Sequence, residues 1–253
     1  VPETALVTGA SSGIGEQFAR QLSARGWDLV VVARRADRLE RLAAELPTEA
    51  HVVPCDLATD AGELGGRVAE LGIEVGLLVN NAGFGTSGPF TAHDPSRDVE
   101  QVRVNCEAIV ALCHAFLPAM IERRRGGIIN VASTAGMQPL PYESVYAATK
   151  AFAVSFTDAL HTELRGSGVR VLAVNPGPVP TEWQQVAGYD SGRVGVVPGQ
   201  VPAEQVVSEA LAAFDAGRRS VIPGRAMRWI MRITRPSPRA VQLRVAERLY
   251  RPR

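Results

Sequence analysis

The stretch Thr8-Gly9-Ala10-Ser11-Ser12-Gly13-Ile14-Gly15, TGASSGIG, decides the fold. It follows the apolar run TALVT from Thr4 and precedes EQFARQLSARG, whose apolar residues recur at helical spacing. Gly9, Gly13 and Gly15 are spaced G-x-x-x-G-x-G. Glycines at a strand-to-helix turn let the backbone bend tightly and bring its N–H groups, at the positive end of the helix, close to a pyrophosphate. Gly9 to Gly13 also spell G-x-S-x-G, the nucleophile elbow of a serine hydrolase, with Ser11 as nucleophile. That rival needs an acid and a histidine in chain order, and Asp158 with His161 is the pair available. Both lie on one predicted helix with no strand-end loop to carry them to Ser11. An elbow on the first strand also lacks the preceding strands that build an oxyanion hole, so the nucleotide reading is preferred.

Outward from the loop, short β-branched runs alternate with longer amphipathic segments: TALVT, DLVVVA from Asp28, AHVVPC from Ala50, GLLVN from Gly76, GIINVAS from Gly127, VRVLAVN from Val169 and RSVIPG from Arg219. The pattern predicts a doubly wound, Rossmann-type α/β fold: a parallel seven-stranded sheet with helices on both faces and its ligand at the carboxyl ends of the strands. The 253 residues, 46% of them hydrophobic, fit one catalytic domain over 1–224 with a basic amphipathic helical extension of it over 225–253.

A formal net charge of +1 argues against a nucleic-acid binder. Cys55, Cys106 and Cys113 form no paired framework and read as free thiols in a reducing compartment. His51, His93, His114 and His161 have no metal-ligand spacing, so no metal site is expected. No signal peptide and no apolar run of span length are read, which predicts a soluble, cytoplasmic protein.

Lys150 is the single lysine of the chain, four residues after Tyr146 in YAATK. On a helix the two side chains share a face one turn apart. A cation ~5 Å from a phenol at an effective dielectric near ~20 contributes roughly 3 kcal/mol, about two pKa units, which would poise Tyr146 as a proton donor and acceptor. Ser133, at the end of IINVAS, can hydrogen-bond a substrate oxygen while Tyr146 protonates it.

With these residues in place, residues 3–182 resemble the classical short-chain dehydrogenase/reductase family. TGASSGIG matches its cofactor loop, NNAG from Asn80 its fourth-strand motif, Asn105 in VNCEA its helix asparagine, Ser133 its active-site serine, YAATK its Y-x-x-x-K, and NPGPVPT from Asn175 its nicotinamide segment. The resemblance implies hydride transfer between a nicotinamide and a carbonyl or secondary alcohol. It implies Tyr146 as general acid/base, Ser133 as the group polarising the carbonyl, Lys150 on the nicotinamide ribose and Asn105 holding a relay water. Asn105 can equally serve as a helix-distorting structural residue. Cofactor contacts are expected from Gly9, Ser11, Ser12, Gly13, Ile14 and Gly15, from Asp56 and Leu57 near the adenine, from Asn80, Ala82 and Gly83, and from Pro176, Gly177, Val179 and Thr181.

An NAD-preferring fold presents an acid about twenty residues beyond the glycine loop. Here Ala33-Arg34-Arg35 closes the second strand. Two guanidiniums suit a 2′-phosphate, which favours NADP(H), with Ser11 and Ser12 as further donors. The alternative has Asp37 reaching the ribose. A non-catalytic sensor of the same fold is the other class kept open, although the complete Asn105, Ser133, Tyr146, Lys150 set argues against it.

Substrate choice is expected to rest on residues 182–202, where Trp183, Val186 and Tyr189 suggest an apolar carbonyl compound. From Gly217 onward there are eleven arginines and one acid, Glu247. Arg225, Arg228, Arg232 and Arg235 form a helical stripe beside Met227, Trp229, Ile230, Met231 and Ile233. Beyond RPSP, Arg239, Arg244, Arg248 and Arg251 alternate with Val241, Leu243, Val245, Leu249 and Tyr250. Such helices suit an anionic membrane, or packing on the chain's own core or on a sister subunit; packing is the preferred reading, and a homo-oligomer is expected.

Overall fold

The computed structural model of the chain describes residues 3–182 and 199–251. Trp183, Val186 and Tyr189, on which the substrate reading leaned, lie outside the described residues.

Seven strands, β1 (Thr4–Thr8), β2 (Asp28–Ala33), β3 (Ala50–Pro54), β4 (Val75–Asn80), β5 (Gly126–Val131), β6 (Val169–Val174) and β7 (Ser220–Val221), form one sheet in the order β3-β2-β1-β4-β5-β6-β7. Every neighbouring pair is parallel. The order reverses between β1 and β4, and the crevice at that switch point is where an open α/β sheet receives a ligand. The seventh predicted run is the least regular, contributing only Ser220 and Val221 to the ladder.

The period of two along each strand divides the core. Ala5 and Val7 of β1 face α1 (Gly13–Ser23), α2 (Ala36–Glu45) and α7 (Ala203–Asp215). Leu6 faces the other way, onto α3 (Leu64–Glu70), α5 (Ala108–Glu122) and α6 (Ser144–Glu163). Strands buried on both faces carry unbroken apolar runs, and Leu29 to Val32 of β2 are all inaccessible.

α4 (Pro95–Val102) enters α5 through a π-helical turn, Arg103–Glu107. The continuous helical stretch Pro95–Glu122 is long and apolar enough to cross a bilayer by length and composition, contrary to the sequence expectation. In the fold Leu112, Phe116 and Met120 are buried against the sheet, and Asn105 and Gln101 are buried polar positions. After β7 come α8 (Arg225–Thr234) and α9 (Arg239–Tyr250). Met227 and Met231 of α8 are buried, Met227 against Gly177 and Gly199, where a Cβ would come within 2.5 and 3.4 Å of its methyl. Ala246 and Tyr250 of α9 pack against Leu140, Ala147 and Ala135.

Candidate active site

The predicted residues converge at the carboxyl ends of the strands. Gly9 and Gly13 adopt φ of +67° and +60°, conformations that disfavour a side chain. A Cβ on Gly15 would lie 2.2 Å from the Gly9 carbonyl oxygen, so helix and loop meet at a distance only glycine permits. Ser12 is the N-cap of α1, yet its side chain makes no capping bond to the first-turn amides. The loop therefore retains its helix-start N–H groups for a phosphate, which fits a dinucleotide. Thr8 and Asn81 hold it open: Asn81 and Ala82 N–H both donate to Thr8 Oγ1 at 3.0 Å, and Asn81 Nδ2 donates to the Thr8 carbonyl at 2.9 Å. Sequence reasoning passed over both residues, although each stands inside a quoted motif. Asn80 also has a structural bond, its Nδ2 donating to Asn130 Oδ1 at 2.9 Å and tying β4 to β5.

At the end of β2 the two arginines divide. Arg34 turns to Glu100 (3.4 Å) and Asp56 (3.9 Å). Arg35 donates to Ser11 Oγ at 3.0 Å and Ser12 Oγ at 3.1 Å, and so builds the guanidinium-hydroxyl cluster expected of a 2′-phosphate site. Asp37, the alternative ribose ligand, pairs with Arg41. Two members of the cluster went unread. Glu182 accepts from Arg38 at 2.8 Å and from Arg35 at 3.1 Å, and these bonds hold its carboxyl below the usual range.

Ser133 follows β5 and caps a 3₁₀ turn, Thr134–Met137, accepting from Ala135 N–H at 3.1 Å. A Cβ on Gly136 of that turn would lie 2.4 Å from the Lys150 carbonyl carbon, so the turn presses directly on α6. The approach to α6 is fixed at Tyr142, which takes φ +68° while Gly88 N–H donates to its carbonyl at 2.8 Å. The Ser133 hydroxyl donates to the Pro176 carbonyl at 3.4 Å and lies near enough to the Tyr146 phenol to favour its ionised form. Lys150, 5% exposed, donates to the Val131 carbonyl at 2.9 Å, and its Nζ lies 5.9 Å from the Tyr146 ring centre. Asn105 is inaccessible within the π turn, and its side chain bonds the Phe84 backbone at 2.9 and 3.2 Å and Thr149 Oγ1 at 3.0 Å. That side chain is thus a clamp on the loop after β4. Gly83 lies between the two, where a Cβ would be 2.9 Å from Asn105 Oδ1 and 3.3 Å from Lys150 Nζ.

The electrostatics correct one expectation. Burial raises the Tyr146 pKa, the Ser133 hydroxyl only partly opposes this, and Lys150 does not bring the phenol below its ordinary value. Burial also lowers Lys150 to about 8. Desolvation is the largest cause of both shifts, and a reading from charge alone leaves it out. Glu143, three residues before Tyr146, is a buried carboxyl whose Oε1 has no hydrogen-bond partner, and burial raises it to about 8.

On the other side, Pro176 O accepts from Thr134 N–H at 2.9 Å, Val179 is buried, and Thr181 Cγ2 lies 3.1 Å from where a Gly13 Cβ would stand. Asp56 caps its own turn by accepting from Ala58 N–H at 3.0 Å, with Leu57 buried beside it. The hydrolase triad is not assembled. Asp158 pairs with Arg219, His161 Nδ1 with the Val171 carbonyl, and Ser11 with Arg35. A cleft of about 530 Å³ opens at the opposite end of the strands, where Glu3 pairs with Arg125 and Glu74 with Arg123; it holds none of these groups.

The sequence profile described as short chain dehydrogenase matches residues 3–191. The chain belongs to the short-chain dehydrogenase family of oxidoreductases. Among its relatives in this family, the very-long-chain 3-oxoacyl-CoA reductase of Anas platyrhynchos is 32% identical over 192 residues, which are 72% of this chain and 62% of that protein. The chain thus spans less than two thirds of that relative's length. A short-chain dehydrogenase from Sphingobium yanoikuyae, solved in complex with NADPH, superposes with a TM-score of 0.82 at 35% identity, covering 92% of each chain. The bulky-bulky ketone specific alcohol dehydrogenase from Comamonas testosteroni gives 0.78 at 32% identity, covering 92% of this chain and 91% of that one.

Proposed function

We propose that the protein transfers hydride between NADP(H) and the carbonyl or secondary alcohol of an apolar small molecule, with Tyr146 as general acid/base. The observation that carries the reading is the buried pair Tyr146 and Lys150, one helical turn apart with Nζ 5.9 Å from the phenol ring centre, beside Ser133 at the end of β5. The nicotinamide supplies or accepts the hydride. Its dinucleotide is held by the glycine loop, by Asp56 and Leu57, by the Asn80–Gly83 segment and by Pro176 to Thr181, and its 2′-phosphate by Arg35 with Ser11 and Ser12, flanked by Arg34.

Ser133 and Tyr146 donate jointly to the substrate oxygen, which polarises the carbonyl and withholds charge from it as it becomes an alkoxide. Tyr146 then delivers its proton to that oxygen. A phenol that resists ionisation in the ligand-free protein holds this proton until an oxyanion develops beside it. Lys150, 5.9 Å from the Tyr146 ring centre, is a cation beside the resulting phenolate, and Asn105 keeps the adjoining loop in register for a relay water at the π turn. The Sphingobium relative's NADPH complex and the Arg35 cluster both support NADP(H) over NAD(H). The Comamonas relative's bulky-ketone specificity supports an apolar substrate.

Reduction of a panel of aliphatic, aromatic and steroid-like ketones, followed as loss of NADPH absorbance, tests the reading. Turnover with NADPH faster than with NADH is expected. No turnover of any ketone by protein that binds NADPH would overturn it.

A further inference from the structure

The basic tail is not used by this chemistry, and the fold leaves much of it uncovered. α8 buries Met227 and Met231 and turns Trp229 (62% exposed) and Ile233 (68% exposed), one turn apart, to the outside. α9 buries Ala246 and exposes Val241, Val245 and Leu249, the last at 72%. These three stand at i, i+4 and i+8, so they form one continuous stripe. Single exposed apolar residues are ordinary, but aligned large ones mark a contact surface.

The charges beside them say what kind of contact. By helical angle, Arg244 and Arg248 flank the α9 stripe, while Arg225 and Arg232 flank that of α8. Arg228 is paired with Glu209 and Arg251 with Glu247. Among the described residues Arg225, Arg232, Arg235, Arg239, Arg244 and Arg248 are exposed and make no ion pair, and Arg232 stands 5.6 Å from the Trp229 ring. A second copy meeting this face about a two-fold axis would set arginine against arginine. An anionic bilayer offers an apolar layer beneath a negative one, the sequence that apolar stripe and arginine border require, and a tryptophan is suited to its interface.

We propose that the α8–α9 face docks on an anionic lipid membrane, with Trp229, Ile233, Val241, Val245 and Leu249 entering the headgroup boundary and the unpaired arginines lying on lipid phosphates. Other faces of the same helices pack on Gly177, Leu140 and Ala147, so docking would hold the site beside the bilayer with α8 and α9 between them. The proposal does not depend on the catalytic reading, because its test reads lipid binding alone.

The test is co-sedimentation of the full chain with vesicles of phosphatidylcholine, with and without about a third phosphatidylglycerol. Binding to the anionic vesicles only, weakened by salt, is expected. Trp229→Ser with Ile233→Ser should lower it about tenfold or more, and each of Arg232→Glu and Arg244→Glu by about fivefold or more. All four positions are exposed, so melting temperature and any activity in lipid-free buffer should stay unchanged. Wild-type protein that stays in the supernatant with anionic vesicles overturns the proposal, as does a Trp229→Ser, Ile233→Ser variant that binds like wild type. A wild-type dimer in lipid-free sedimentation velocity that this variant dissolves would assign the face to a second copy instead.

Discussion

The carboxyl end of the sheet and the α8–α9 helices are packed against each other and obey opposite rules. At the sheet end polar groups are buried and most are tied to a partner: Asn105 to Phe84 and Thr149, Asn130 to Thr157, Lys150 to Val131, and the Asn175 Nδ2 to Ser220. Along α8 and α9 apolar groups are exposed, and Arg225, Arg232, Arg235, Arg239, Arg244 and Arg248 are exposed with no ion pair among the described residues. A buried polar group left without its partner costs about 1–3 kcal/mol, so an identity paired at the sheet end is bound to that of its partner. An exposed apolar side chain costs the fold little, so its identity reflects what it meets outside the fold.

The strongest way to break this contrast is Ser133→Ala. It should lower ketone turnover by about a hundredfold or more with NADPH binding retained, checked by steady-state kinetics beside a fluorescence titration. A mild loss would mean that the polar cluster is scaffolding. Arg35→Asp should weaken NADPH by tens of fold, since each charge-assisted bond to phosphate is worth about 1.5–3 kcal/mol, and should leave NADH nearly unaffected in calorimetric titration. Equal loss for both cofactors would detach Arg35 from the 2′-phosphate.

Glu143 sharpens the comparison because it is a buried carboxyl with one oxygen unpartnered. Its carboxyl is raised from 4.5 to about 8 by burial. Between those values the unfolded chain has released a proton that the native state retains, so stability falls as pH rises through this window and levels off above it. Glu143→Gln should remove that decline and gain on the order of a few kcal/mol over wild type at the alkaline end. Thermal melts of both proteins across the window decide the point, and parallel curves would show that the carboxyl finds a partner. The smallest effect belongs to Glu182→Gln. The native carboxylate occupies donors on Arg35 and Arg38 that a 2′-phosphate needs. Exposed pairs are worth up to about 1 kcal/mol, so NADPH should bind up to about fivefold tighter and NADH unchanged. Weaker NADPH binding would make Glu182 an aid to Arg35 and not its competitor.

The sheet and its site were legible because their constraints are local in the chain. Glycines at positive φ, a tyrosine and lysine one turn apart, and β-branched runs ending in Asn80 or Ser133 each need a particular residue at a particular place. Contacts between segments distant in sequence were not legible. That Arg35 and not Arg34 reaches Ser11 and Ser12 depends on how the chain leaves β2, and Glu182 arrives from beyond β6. The shift on Tyr146 was misjudged in sign because a charge can be read from sequence and burial cannot. For the tail, periodicity gave the helices but could not divide Met227 and Met231, which the chain covers, from Trp229 and Ile233, which it does not.

The central claim is that Tyr146 supplies the proton, and it is met most directly by Tyr146→Phe under single-turnover conditions with saturating NADPH and a ketone that the wild type reduces. The account predicts a loss of about 10²–10⁴-fold in the reduction rate, with NADPH affinity nearly unchanged, because only the proton has been removed. A variant that keeps more than about a tenth of the wild-type rate would contradict it.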